Sequence, residues 1–141
     1  MNYYREINTA RNIMVSKLSE TDENCLEFNL IIGKVSDIKN DINHLLDVNE
    51  IIFDDNNLQF LITFDNYISY SVLNESYENL GGEIYHGEKI RIYSSSNFLD
   101  YLKKETFATS DYPGEFKHYA FITSRHIINV ASLEEPIIEK L

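Results

Sequence analysis

The feature that most constrains the fold is a pair of neighbouring segments in which apolar residues occupy every second position. These positions are Leu58, Phe60, Ile62 and Phe64, followed by Ile68, Tyr70 and Val72. Successive side chains of a β-strand point to opposite faces, so each set is predicted to share one face of a sheet. Asp65-Asn66 lies between the two segments, and both residue types tolerate tight turns. The pattern therefore predicts an antiparallel meander.

Other segments predict further strands and several helices. Strands are predicted over 26–32 and 50–54, over 84–93 as a strand or hairpin turning at Gly87, and over 119–121 and 127–131 as a final hairpin. A helical spacing of three or four residues joins Tyr3, Ile7, Ala10, Met14 and Leu18. Ser36 and Ser96 are predicted to cap two more helices, over 37–46 and 97–104. Residues 19–24 are predicted to form a loop, and 134–136 to begin a short helix or an extended tail.

The chain is short enough for one domain, and nothing in it indicates a linker. It has 141 residues with only two prolines and five glycines, and domains of about 100–150 residues are the commonest size. We therefore predict a single α+β domain over residues 1–141. It would contain an antiparallel sheet of about six strands with two or three helices packed on one face.

Negative charge is concentrated in the middle third of the sequence. The segment between Lys39 and Lys89 contains no Lys or Arg, but it contains ten acidic residues. They are Asp41, Asp47, Glu50, Asp54, Asp55, Asp65, Glu75, Glu78, Glu83 and Glu88. The remainder has 13 acids and 12 bases, so this segment accounts for nearly all of the net charge of −11. Such a field argues against nucleic-acid binding and favours a basic protein partner. The alternative is an acidic face that only aids solubility.

Several features predict a bacterial protein of the cytoplasm. The first ten residues include Arg5 and Glu6 and lack the apolar run of a signal peptide. No apolar run approaches the roughly 18 residues of a membrane span. Cys25 is the only cysteine, so no internal disulfide can form, which is typical of a reducing compartment. The abundance of Asn, Ile and Tyr is typical of an AT-rich genome.

No motif in the sequence names a catalytic or metal site, so we expect no cofactor and no catalytic residue. His44, His86, His118 and His126 lack metal-binding spacing, and there is no cysteine pair. His118 and His126 could face each other across the last hairpin and bind a metal or act as a base. The favoured interpretation places both at strand ends, half exposed. No nucleophile elbow and no phosphate-binding loop is present.

The acids and tyrosines of the predicted β region form a candidate partner-binding surface. Tyrosine supplies a rigid aromatic anchor and acids supply a charged rim, a combination typical of interfaces. The alternative is that each tyrosine only packs at a sheet margin. The predicted partner-binding residues are Asp54, Asp55, Asp65, Tyr67, Glu75, Tyr77, Glu78 and Glu83.

Together these features predict a non-enzymatic acidic protein that binds a basic protein, such as a toxin domain. In size and charge the chain resembles bacterial immunity proteins, which neutralise toxins from neighbouring cells. That resemblance covers no motif and implies no site residue. One alternative is a small-molecule-binding or regulatory module with a cleft between sheet and helices. A further alternative is a small enzyme that uses His118 and His126.

Overall fold

Two antiparallel sheets make up most of the structure, a computed structural model that describes residues 2–35, 51–54, 56–78 and 83–141. One sheet has four strands in the order β1-β2-β5-β11, and the other has five in the order β6-β10-β9-β8-β7. Strands β3 and β4 form a separate pair. The strands are β1 (Ile13–Asp22), β2 (Cys25–Ile32), β3 (Lys34–Val35), β4 (Ile51–Ile52), β5 (Gln59–Asp65), β6 (Ser69–Asn74), β7 (Ile84–His86), β8 (Ile90–Ser95), β9 (Lys117–Ile122), β10 (His126–Ser132) and β11 (Ile137–Lys140). The α-helices among the described residues are α1 (Tyr3–Asn8) and α2 (Asn97–Glu105).

The predicted α+β architecture of one sheet covered by helices is wrong. The inner faces of the two large sheets pack on each other, so a second sheet covers the face that helices were expected to cover. Phe28 of β2 meets Phe121 of β9 edge to face, with ring centroids 5.0 Å apart. Phe64 of β5 lies 5.5 Å from Tyr119 by the same measure. Aromatic side chains from both sheets therefore interdigitate in one core, as in a β-sandwich.

The alternation in the middle of the chain predicts the buried face but not the pairing. Phe60, Ile62 and Phe64 are all fully buried, as their spacing predicts. The predicted meander is wrong, because β5 lies between β2 and β11 while β6 pairs with β10 in the other sheet. The chain leaves β5 at Asn66, whose φ is +53°. Tyr67 then donates its N–H to the Asn24 carbonyl at 3.3 Å, which directs the chain toward the second sheet.

The predicted first helix is too long. It ends at Asn8, and the chain continues as β1, which pairs with β2. Residues 13–15 are β-branched or apolar and fit a pleated, half-buried surface. Their strand preference outweighs the helical spacing of the apolar residues. The predicted loop over 19–24 is mostly strand, and only Glu23 and Asn24 turn the chain. Asn24 has a φ of +55°, which asparagine tolerates better than most residues.

Most other predicted elements are confirmed. The hairpin of β7 and β8 turns at Gly87, whose φ is +97° and where an added Cβ would lie 2.0 Å from the Ile90 carbonyl oxygen. Ser96 caps α2, because its Oγ accepts the Leu99 N–H at 3.1 Å. Strands β9 and β10 form the last hairpin. The tail is extended, as β11, and the strand predicted over 50–54 is reduced to Ile51–Ile52. The helix predicted over 37–46 lies outside the described residues.

Candidate functional site

The structure separates the predicted partner-binding residues into three places. Asp54 is exposed in the segment before β5, and Asp65 is exposed at the last residue of that strand, so the strand separates the two. Tyr67 follows Asp65 and is half-buried, donating its hydroxyl to the Glu20 carboxylate. The remaining described residues, Glu75, Tyr77, Glu78 and Glu83, belong to the connection from β6 to β7. Asp55 lies outside the described residues.

Glu78 and Glu83 of this connection lie over the outer face of the five-stranded sheet, beside Tyr93 and His118. Strands β6 and β7, which the connection joins, are the two edges of that sheet. Glu78 forms an ion pair with Arg91 of β8, with Oε1 and Nη1 3.3 Å apart. Glu83 then accepts the Asn97 N–H at the start of α2, at 3.2 Å. We refer to Glu75, Tyr77, Glu78 and Glu83 as the acidic crossover.

Local hydrogen bonds shape the first part of the acidic crossover. A 3-10 helix covers Glu75–Tyr77, and the Asn74 side chain caps it by accepting the Ser76 N–H at 3.0 Å. Tyr77 is left 77% exposed, the most exposed tyrosine among the described residues. The Glu75 carboxylate is exposed and has no ion-pair partner among the residues that the structure describes. This part of the surface therefore presents a free aromatic ring beside a free carboxylate.

Arg91 anchors the acidic crossover to the sheet. Its guanidinium carbon lies 4.4 Å from the centre of the Tyr85 ring, a cation–π geometry. Its Nη1 also donates to the Tyr93 hydroxyl at 3.4 Å. Tyr85 and Tyr93 stack in a tilted arrangement, with ring centroids 5.0 Å apart. The half-buried guanidinium thus holds Glu78 in place on a platform of two aromatic rings.

A hollow of about 170 Å³ lies between the acidic crossover and the start of α2, and we refer to it as the outer hollow. Its lining combines aromatic rings, amides and two carboxylates. It includes Glu78, Glu83, Tyr93, Phe98, His118 and Asn129. Pockets for small molecules usually enclose about 300–1,000 Å³. The outer hollow therefore has room for a group about the size of one side chain.

A buried hydrogen-bond chain forms the floor of the outer hollow. Ser96 Oγ lies 2.8 Å from His118 Nδ1, and His118 Nε2 lies 2.7 Å from Asn129 Oδ1. Since the Asn129 oxygen can only accept, Nε2 carries the proton, and the Ser96 hydroxyl donates to Nδ1. His118 is only 2% exposed, and its burial lowers its pKa from 6.5 to about 4. The ring is therefore neutral near pH 7, and each of its nitrogens has a partner.

The structure does not bring His118 and His126 together. Across the hairpin, His118 pairs with Ala131, five residues along β10 from His126. His126 instead pairs with Asn74 of β6. The interpretation that placed both histidines half exposed is wrong for His118, which is buried. Among the described residues, no three His, Cys, Asp or Glu side chains cluster as metal ligands.

The sequence predicted the four residues of the acidic crossover as partner-binding candidates, but it did not point to the residues beneath them. Arg91 and Tyr93 are two residues apart on β8, so the alternation of that strand places them on one face. That signal was present in the sequence. Asn129 and Ser96 gave no comparable signal as partners of His118, because their meeting depends on the packing of α2 against the sheet.

Comparison with protein-family models, with curated proteins and with solved structures gives no match. In the described part of the chain, no helix has the length and apolar character required to cross a membrane.

Proposed function

We propose that this protein is a non-enzymatic binding protein that engages a basic protein partner through the acidic crossover. One observation carries the proposal: the carboxylates of Glu78 and Glu83 border a hollow lined by aromatic rings, and the same connection exposes the Glu75 carboxylate and the Tyr77 ring. Aromatic anchors within a charged rim are typical of protein interfaces. The net charge of −11 favours a basic partner, because opposite fields speed encounter.

A toxin domain is the partner class suggested by the resemblance in size and charge to immunity proteins. The position of the gene supplies a direct check on this part of the proposal. A neighbouring gene that encodes a secreted protein with a basic C-terminal domain would support it. The proposed surface would then cover basic residues of that domain.

The two alternative functions receive less support from the geometry. A small-molecule module needs a cleft between sheet and helix, and the outer hollow lies there, but its 170 Å³ is small for a metabolite. The hollow fits one inserted side chain of a protein partner better. An enzyme that uses His118 and His126 would need the two rings close together, and their strand register separates them.

Replacement of Tyr77 tests whether the acidic crossover is the interface. Tyr77 is exposed, so Tyr77→Ala should change the free energy of unfolding by about 0.5 kcal/mol or less. If its ring is an anchor, the Kd for the partner should rise about tenfold or more. The partner is obtained by co-expression with the neighbouring gene, and Kd is measured by calorimetry.

Tyr101→Ala is the matched control, because Tyr101 is 55% exposed on α2, outside the acidic crossover. We expect its Kd to equal that of the wild type. Equal Kd values for Tyr77→Ala and Tyr101→Ala would contradict the proposal.

A further inference from the structure

Strand β6 forms an open edge of the five-stranded sheet. It pairs with β10 on one side, and no described strand pairs with its other side. The Glu75 N–H donates to the Arg125 carbonyl at 3.1 Å, so by alternation Leu73 and Ser71 also bond to β10. The backbone N–H and C=O groups of Tyr70, Val72 and Asn74 then point to the open side. We refer to these three residues as the β6 edge.

The β6 edge lacks the features by which proteins usually block pairing with another strand. Such features are charged residues, proline, β-bulges and very short length. Strand β1 has two register shifts and contains Lys17, Glu20 and Asp22. Strand β11 ends in Glu139-Lys140, and β7 has only three residues. By contrast, β6 has six residues, Ser69–Asn74, without charge, proline or register shift, and its Val72 is 49% exposed.

The charge around the β6 edge indicates what kind of strand would pair with it. Asp65 precedes β6, Glu75 and Glu78 follow it, and no Lys or Arg occurs between Lys39 and Lys89. A second copy of this chain would place acids against acids, with a net charge of −11 on each copy. An extended segment that carries Lys or Arg would instead be attracted by the net negative charge, with the exposed carboxylate of Glu75 directly after β6.

We propose that an extended, basic segment of the partner pairs with the β6 edge and adds a strand to the five-stranded sheet. Main-chain hydrogen bonds supply affinity in this mode of recognition, and side chains supply specificity. The inference rests on the proposed function and adds to it the manner of binding. The 3-10 helix of the acidic crossover begins directly after β6, so one partner can contact both surfaces.

The probe is a blocked octapeptide of alternating Lys and Val, and the control peptide has Glu in place of Lys. Amide hydrogen exchange is followed by NMR on the whole chain. We expect the basic peptide to slow exchange of the Tyr70, Val72 and Asn74 amides at least about tenfold, and the acidic peptide to leave them unchanged. The Ser71 and Leu73 amides, already bonded to β10, should change little.

Val72→Pro removes one outward N–H, and proline is tolerated at such edge positions. We expect the basic peptide to give no protection of the β6 edge in this variant. Val72→Thr keeps the N–H, and it should bind the peptide as the wild type does. Should the Pro variant fail to fold, the exchange pattern of the wild type decides the question alone.

Three results would overturn the inference. The first is peptide-induced shifts at Glu75–Glu83 without protection of the β6 edge, which would leave the proposed function standing. The second is no binding of the basic peptide at millimolar concentration. The third is a dimer of the free protein, seen by sedimentation and abolished by Val72→Pro, which would make a second copy the occupant. The Tyr77→Ala result with the native partner tests the proposed function separately.

Discussion

At the scale of single residues, the surroundings of His118 decide its chemistry. Burial disfavours its charged form, and the Ser96 hydroxyl and the Asn129 carboxamide satisfy both ring nitrogens. A histidine that faced solvent in a cleft could exchange protons near neutral pH. This one is held neutral, and its contacts join β9, β10 and the cap of α2. We therefore assign His118 a structural role beneath the outer hollow.

The lowered pKa of His118 makes stability depend on pH in a defined window. The unfolded chain binds this proton near pH 6.5, and the folded protein only near pH 4. The stabilisation from neutral His118 is therefore complete above pH 6.5 and lost as pH falls from 6.5 to 4. Its size is about 3 kcal/mol. An NMR titration of the His118 ring should show a midpoint near 4, with the proton on Nε2 above it. A midpoint near 6.5 would refute this account of the site.

At the scale of elements, Asn8 joins the end of α1 to the turn between β7 and β8. Its Oδ1 accepts the backbone N–H groups of Glu88, Lys89 and Ile90, at 3.1, 2.7 and 2.8 Å. One side-chain oxygen thus accepts hydrogen bonds from three backbone N–H groups, and those of Lys89 and Ile90 are part-buried. The contact spans 80 to 82 residues of sequence, and it fixes the short α1 against the five-stranded sheet.

Removing this acceptor should destabilise the protein measurably. In Asn8→Ala, the N–H groups of the turn lose their partner, and we expect a loss of about 1–3 kcal/mol in the free energy of unfolding. Asn8→Asp keeps the acceptor oxygen and should lose less. Urea unfolding of both variants at neutral pH measures the difference. Equal stability of Asn8→Ala and the wild type would show that the turn does not depend on this contact.

Elements that depend on local signals could be predicted, and elements that depend on distant pairing could not. The alternation at Phe60, Ile62 and Phe64 predicts the buried face because it depends only on the period of a strand. Strands β2 and β11 pair with the two sides of β5, so β6 cannot pair with β5 and joins the other sheet. The alternation within β5 and β6 carries no information about this pairing. Likewise, the spacing from Tyr3 to Leu18 fits a helix, but only Tyr3–Asn8 is helical, and pairing with β2 makes the segment from Ile13 onward strand.

The same distinction applies to the candidate site. The charge of Glu75, Glu78 and Glu83 and the aromatic character of Tyr77 could be predicted from sequence. The position of Glu78 and Glu83 over one sheet face could not, because it depends on β6 and β7 being opposite edges of the same sheet. Asp54 and Asp65 have the same charge, yet β5 holds them at its two ends. Proximity in sequence was therefore a poor guide to proximity on the surface.

At the scale of the whole molecule, the uneven charge predicts how a partner approaches. Long-range attraction acts on the rate of encounter and is screened by salt over about 10 Å at 0.1 M ionic strength. If the acids only aid solubility, they affect the association rate through the net charge alone, wherever they lie. If the acidic crossover is the interface, the position of each acid also affects that rate. Two variants of equal charge therefore separate these accounts.

The most direct measurement of the central claim is the association rate with the captured partner as a function of salt. One variant combines Glu75→Gln, Glu78→Gln and Glu83→Gln, which keep acceptor oxygens for Arg91 and the Asn97 N–H. The control combines Glu23→Gln, Glu105→Gln and Glu139→Gln, three exposed sites elsewhere. We predict that the first variant associates about tenfold more slowly at low salt and with a flatter salt dependence. The control should stay near the wild type. Equal rates for the two variants would contradict the account.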